Sequence, residues 1–190
     1  MEIAMKAQIF ILALLLIMEG CNRDSVNNPL IEGNRITAAY NSSKVESLAA
    51  QYSDGLLLMS VQSENLDYDG FASKWRFRYS SAGIAVDYYF HTSAKEVYYD
   101  SISTMKLVGS GFIVHQWFDS DQALKIAEES GGRDFRRKNS QYIIEASLGE
   151  PVVPNSTAIW YITYRSKSDD TKALALSIDA NTGKVISKYP

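Results

Sequence analysis

An α+β fold is predicted for this chain, built as two tandem units that each pack a helix on a small antiparallel sheet. Three observations predict it. Trp75, Phe77 and Tyr79 alternate with Lys74, Arg76 and Arg78, a two-residue period with one apolar and one basic face. Val45, Leu48, Ala49 and Tyr52 fall at i, i+3, i+4 and i+7, one helical stripe. The same order of elements then recurs in the second half of the chain.

Composition sets the frame. Of 190 residues, 46% are hydrophobic and 22% charged, so a packed core is expected and general disorder is not. A net charge of -3 carries no electrostatic footprint for nucleic acid. Twelve tyrosines tilt the composition toward half-buried sheet faces.

The N-terminus specifies an address. Ile9 to Met18 is an unbroken apolar run behind a short head carrying Lys6. A bilayer span needs ~20 such residues, so this run is too short to cross and fits the apolar part of a signal peptide. The chain's one cysteine, Cys21, follows at Met18-Glu19-Gly20-Cys21. This stretch resembles the cleavage motif of bacterial lipoproteins. The resemblance implies a signal peptide over residues 1–20 and lipidation of Cys21, including acylation (palmitate) of the new amino terminus. Several acyl chains give durable anchoring where one is marginal. It places the protein in the bacterial cell envelope, preferentially at the outer membrane, facing the periplasm or the exterior. Residues 21–35, polar and holding Pro29 and Gly33, read as a flexible tether.

The first unit is expected over 36–114. Ser43 and Glu46 form a candidate capping box, and Ser53-Asp54-Gly55 stops the helix. Leu56 to Ser63, Trp75 to Tyr79, Ile84 to Phe90 and Val97 to Tyr99 read as strands, separated by turns at Asp67–Gly70 and Ser80–Gly83. Ile102 to Val114 fits either an added strand or a connector. The second unit is expected over 115–190. Asp119 and Gln122 suit a capping box, and Gly131-Gly132 is expected to end the helix. Arg133, Arg136, Arg137 and Lys138 then read as a basic loop. Gln141 to Leu148 and Trp160 to Tyr164 are strands. The chain closes on a hairpin, in which Asp179 and Asn181 bond local backbone, Thr182 continues the turn and Gly183 supplies φ > 0.

The halves align. Trp75–Tyr79 matches Trp160–Tyr164, and Phe90–Val97 matches Ile178–Val185 without a gap. His91 and Lys95 stand where the later copy has Asp179 and Gly183, so the earlier turn must differ. The helix Asp119–Ser130, the tryptophan strand and Ile178-Asp179-Ala180-x-Thr182-Gly183-Lys184-Val185 together resemble the PepSY domain, over Asp119 to Tyr189. That family implies a helix-plus-sheet module that binds proteins, including restraint or inhibition of a peptidase, with no catalytic residues and no cofactor.

Chemistry-bearing motifs are sparse. Neither His91 nor His115 has a metal-ligand neighbour at ligating spacing, and each reads as a surface or interface histidine. Gly109-Ser110-Gly111 has the wrong spacing for a nucleophile elbow. Asp67-x-Asp69-Gly70 opens like a calcium loop but lacks the later ligands, and reads as a β-turn. No catalytic or metal residue is expected. The chain is expected to be a non-enzymatic, membrane-anchored protein-binding lipoprotein, with Trp75, Trp160, Arg136 and Arg137 as candidate partner surface. The alternatives are a scaffold of outer-membrane assembly and a carrier of an apolar ligand held against Trp75 and Trp160.

Overall fold

The computed structural model describes residues 31–81, 86–104, 111–113, 116–149 and 157–190. Residues 31–35, expected as the end of the tether, join Ile36 in a short ladder of β1 (Ile31–Glu32) and β2 (Arg35–Ile36). Gly33, at φ 60°, turns it. Arg35 ties the ladder down by ion pairs to Glu32 and Asp67.

Eight further strands follow: β3 (Leu56–Ser63), β4 (Trp75–Ser81), β5 (Asp87–Thr92), β6 (Val97–Ser103), β7 (Tyr142–Gly149), β8 (Ile159–Ser166), β9 (Ala173–Asp179) and β10 (Val185–Tyr189). Three helical segments accompany them: α1 (Ser42–Ala49), α2 (Ser120–Ala127) and α3 (Arg133–Lys138).

The expectation of two units with separate small sheets is overturned. All eight strands form one antiparallel sheet, in the order β10-β9-β8-β7-β3-β4-β5-β6. The joint is the ladder between β3 and β7, from Ser60 opposite Gly149 to Ser63 opposite Ala146. A free sheet edge leaves a row of unpaired N–H and C=O groups. Here the first strand of each meander satisfies the other's. No local pattern announces such a pairing, because the partners stand more than eighty residues apart.

Alternation sorts the strands into two faces. One row of paired residues crosses the whole sheet: Tyr99, Phe90, Phe77, Val61, Leu148, Trp160, Ile178 and Val185. It is apolar at every position and lies under the helices. Tyr52, just past α1, stacks on Tyr99 and meets Phe90 edge-on. Ala123, Leu124 and Ala127 of α2 are buried, and Phe135 of α3 tilts against Tyr164. A single core results, and Trp75 and Trp160 meet in it at 6.1 Å, edge to face.

The helix termini depart from expectation in two places. α1 begins at Ser42, ahead of the candidate box, and Ser43 lies inside its first turn. Asn41 at its N-cap directs its amide away, to the carbonyl of Ser93 (2.9 Å). The helical path breaks at Gly131-Gly132 as expected, but a helix resumes directly after it. Gly131 has φ 129°, and the basic stretch expected as a loop is α3. At Gly132 a Cβ would collide with the Tyr164 hydroxyl, so a side chain there cannot coexist with this packing.

Asp119 stands at the N-cap of α2 as expected, without a hydrogen bond from Gln122 among the described residues to complete the box, and its role is wider than a cap. Its Oδ1 accepts from the N–H groups of Ser120 (2.7 Å) and Ala39 (3.0 Å). Ser120 Oγ accepts from Ala38 N and donates to the Gly70 carbonyl (2.7 Å). The start of α2 therefore anchors the segment ahead of α1. Burial raises the Asp119 pKa, against hydrogen bonds from Thr37, Ser120 and Ala39 that lower it.

Candidate functional site

No described helix covers the opposite face: α1, α2 and α3 all pack on the apolar side. Its central row runs Tyr98, His91, Arg76, Gln62, Ser147, Tyr161, Ser177 and Ser187, again in register across all eight strands. Each of these is the strand neighbour, or near neighbour, of a core residue, so the period that fills the core also builds this surface.

The row is not uniform. Toward β10 it is small and polar, apart from the exposed Tyr161. Toward β6 it becomes a charged cluster. Arg78 of β4 donates through Nε (3.0 Å) and Nη2 (2.7 Å) to Oδ2 of Asp87 on β5. Both groups are buried. One strand position along, the Arg76 guanidinium lies 4.1 Å from the Tyr89 ring centroid. It stands 3.7 Å from Asp100, beyond hydrogen-bond reach, and its Nε is buried with no partner among the described residues. His91 Nε2 faces Asp100 at 3.4 Å, and its ring stacks on Tyr98. His91 Nδ1 is likewise buried without a described partner. Burial holds the His91 pKa below the ordinary imidazole value. Asp100 pushes the other way, while Lys74 and Arg76 add to the lowering. A hydrogen bond to Tyr98 raises the pKa of the Lys74 ammonium.

A cleft of about 250 Å³ opens beside this cluster. Lys74, Arg76 and His91 form one wall, and Gln62 to Asn65 with Ser73 form the rest. Basic residues on one side of β4 were legible in the alternation of Lys74, Arg76 and Arg78. The contributions of Asn65, Ser73 and Asp100 come from other elements and had no sequence signal.

The residues singled out by sequence fall in several places. Cys21 lies outside the described residues, as does His115. The hairpin turn is built as read at Asp179, Thr182 and Gly183, whereas the Asn181 side chain makes no hydrogen bond to a described residue. Asp179 Oδ1 accepts from the N–H of Asn181 (2.9 Å) and Thr182 (2.8 Å), and Gly183 adopts φ 73°. Burial raises the Asp179 pKa, but hydrogen bonds from Thr157, Thr182 and Asn181 outweigh it, and the net shift is downward. Those bonds account for both carboxylate oxygens, since Oδ2 takes the Thr157 hydroxyl at 2.7 Å.

The partner-surface residues need correction. Trp75 and Trp160 are fully buried and cannot touch a partner. Their indole N–H groups donate to the carbonyls of Ile36 and Phe118, both at 2.9 Å. They form hydrogen-bonded core pillars because an aromatic side chain on the apolar side of a central strand faces the helices. Arg136 is also structural. It grips Glu128 through Nε (2.9 Å) and Nη2 (2.5 Å), and Tyr164 donates to the same carboxylate at 2.9 Å. The rings of Tyr68 and Tyr142 flank its guanidinium. This network clamps the kinked helix onto β8. Arg137 alone of the four remains open to solvent, beside Asp134 at 3.9 Å.

The turn at Asp67 is closed in the same way. Asp67 Oδ1 accepts from the N–H groups of Asp69 and Phe71, and its other oxygen pairs with Arg35. Asp87, on β5, belongs to Arg78. Among the described residues no group of three or more His, Cys, Asp or Glu is placed to hold a metal ion. No described helix is long and apolar enough to cross a membrane. No family model, curated protein or solved structure matches the chain.

Proposed function

We propose that the protein is a membrane-anchored envelope lipoprotein that works as a non-enzymatic binding module, with a protein partner laid across the open face of its sheet. One observation carries the reading: an in-register row of eight polar and aromatic side chains spans the whole face opposite the helices. A rigid sheet of eight strands holds those side chains at fixed spacing, so little order is lost on binding. Tyr161, Tyr98 and Arg76 are of the types that dominate binding energy at protein interfaces. The anchor at Cys21 rests on the sequence motif Met18–Cys21.

A peptidase is the partner class implied by the PepSY resemblance, and an assembly factor is the alternative. The carrier reading loses its proposed lining, because Trp75 and Trp160 pack against each other and Trp117 packs on Trp160.

A photo-crosslinker at position 161, compared with one at exposed Lys125 on the helix side, tests the reading in the native envelope. Capture of one defined protein from 161 and not from 125 is expected. Identical background from both positions would sink the open-face reading. Replacing Cys21 by Ser tests the address: the protein should leave the membrane fraction, and unchanged membrane association would remove the anchor from the proposal.

A further inference from the structure

The cleft at the β6 side of the open face is more specific than the row it adjoins. Lys74 and Arg76 bring two permanent cations to its wall, while Glu64 is the one acidic residue among its described lining and Asp100 stands 3.7 Å from Arg76 outside that lining. Glu64 is exposed and free to turn to solvent. Lys74 has no carboxylate within ion-pair reach among the described residues. Arg76 holds Asp100 only at 3.7 Å and leaves Nε without a described acceptor. The side chains of Gln62, Ser63, Asn65 and Ser73 make no hydrogen bond to any described residue and add neutral donors around the two cations.

A guanidinium with uncommitted donors in a partly desolvated wall is poorly satisfied by an apolar or cationic occupant and well satisfied by a carboxylate. The size agrees. About 250 Å³ holds a carboxyl group on a short methylene stem, and falls below the ~300 Å³ where pockets for larger ligands begin. The Tyr89 ring, 4.1 Å from the Arg76 guanidinium, restricts the planes the fork can take.

We infer that this cleft is a carboxylate subsite, which receives an acidic side chain of the protein lying across the open face. The inference rests on the binding reading above and names the chemistry of that partner. The occupant enters beside Arg76, accepts from its guanidinium and from Lys74, and stops against Ser73 and Asn65.

The full chain in detergent micelles tests it, with His91 as the reporter. The His91 ring resonance, assigned by its loss in His91→Gln, is followed by NMR at fixed ionic strength. The capped tripeptide acetyl-Ala-Glu-Ala-amide is titrated against its Gln counterpart and against sodium acetate. Saturable shifts are expected with the Glu peptide, roughly ten-fold weaker with the Gln peptide, as one lost charge-assisted pair implies. Arg76→Gln should abolish saturation, and Glu64→Gln should tighten binding several-fold by removing the carboxylate that lines the cleft itself. Equal responses to the Glu and Gln peptides, or unchanged binding in Arg76→Gln with its fold intact by circular dichroism, would overturn the subsite. Acetate binding as tightly as the peptide would overturn its assignment to a partner side chain. Failure of the subsite leaves capture from position 161 untouched, so the two proposals fail separately.

Discussion

The two halves of the sheet, β3–β6 and β7–β10, agree on the helix side and differ on the open side. Under the helices, the second strand of each half carries a buried tryptophan. Each donates its indole N–H to a carbonyl just ahead of a helix, Trp75 to Ile36 and Trp160 to Phe118. On the open side, β4 and β5 carry Arg76, Arg78, Asp87 and His91, whereas β8 and β9 carry Tyr161, Thr163, Ala175 and Ser177. The closing turns differ too. Asp179 organises one through its carboxylate, and Ser93 organises the other through longer bonds of 3.3 Å to Lys95 N and Glu96 N. Packing against a helix demands one size and one donor, so the same residue serves twice. The open face is free of that demand, and there the charge distribution is what sets the two halves apart.

The largest expected effect tests the agreement. Trp75→Ala and Trp160→Ala should each cost about 4 kcal/mol, as deletions of a buried indole that also orphan a carbonyl. Urea unfolding measures both. A gap between them of more than about 2 kcal/mol would break the equivalence.

The next tests the difference. Asp87→Ala leaves Arg78 buried and unpaired, at a cost of about 3 kcal/mol. Arg165→Ala, which removes an exposed pair with Glu145 from the open face of the other half, should change stability by under ~0.5 kcal/mol. Similar losses from the two would mean that the charged cluster is no more integral than a surface pair.

Smaller still is the contrast between the turns. Gly183→Ala should cost roughly 1 kcal/mol, because φ is 73° and the new Cβ meets Ile126 Cδ1 at 3.1 Å. Lys95→Ala at the matching position of the other hairpin should stay within ~0.5 kcal/mol. Thermal melts of the two variants report the contrast.

The smallest effect is a pH dependence confined to the β3–β6 half. The folded-state pKa of His91 is depressed, first by burial. The unfolded chain therefore takes up the proton first as pH falls below about 6.5. The stability is fully present above that value and is lost as pH falls through the lower folded-state pKa. His91→Gln should flatten the stability profile in that window. A profile that keeps its slope in the variant would assign the effect to another group.

Much of this was legible locally. The alternation at Trp75–Tyr79 identified β4 and the basic side that now borders the cleft. Asp119 identified a helix start, and Asp179 to Gly183 identified the last hairpin with its bonding pattern. What the structure overturns has one cause. A strand's period separates two faces without saying which one the helices cover, so Trp75 and Trp160 are equally compatible with surface and core until the helices dock. Arg136 looked like part of a basic loop because Glu128 and Tyr164 reach it only once Gly131 kinks the helix. Two separate sheets were expected because each meander is locally complete.

By itself, the sequence determined the long strands and the two helices ahead of Gly131, their order, the glycine-dependent turn and the motif at Cys21, all of which depend on neighbours a few residues apart. Tertiary structure alone decided three things: that β3 and β7 join two meanders into one sheet, that both tryptophans turn inward to share a core, and that Arg76 and His91 meet Asp100 beside an open cleft. The reason is the range of the interactions. Backbone propensity and alternation act along the chain, whereas edge pairing, burial and charge balance act across space between segments the sequence keeps apart.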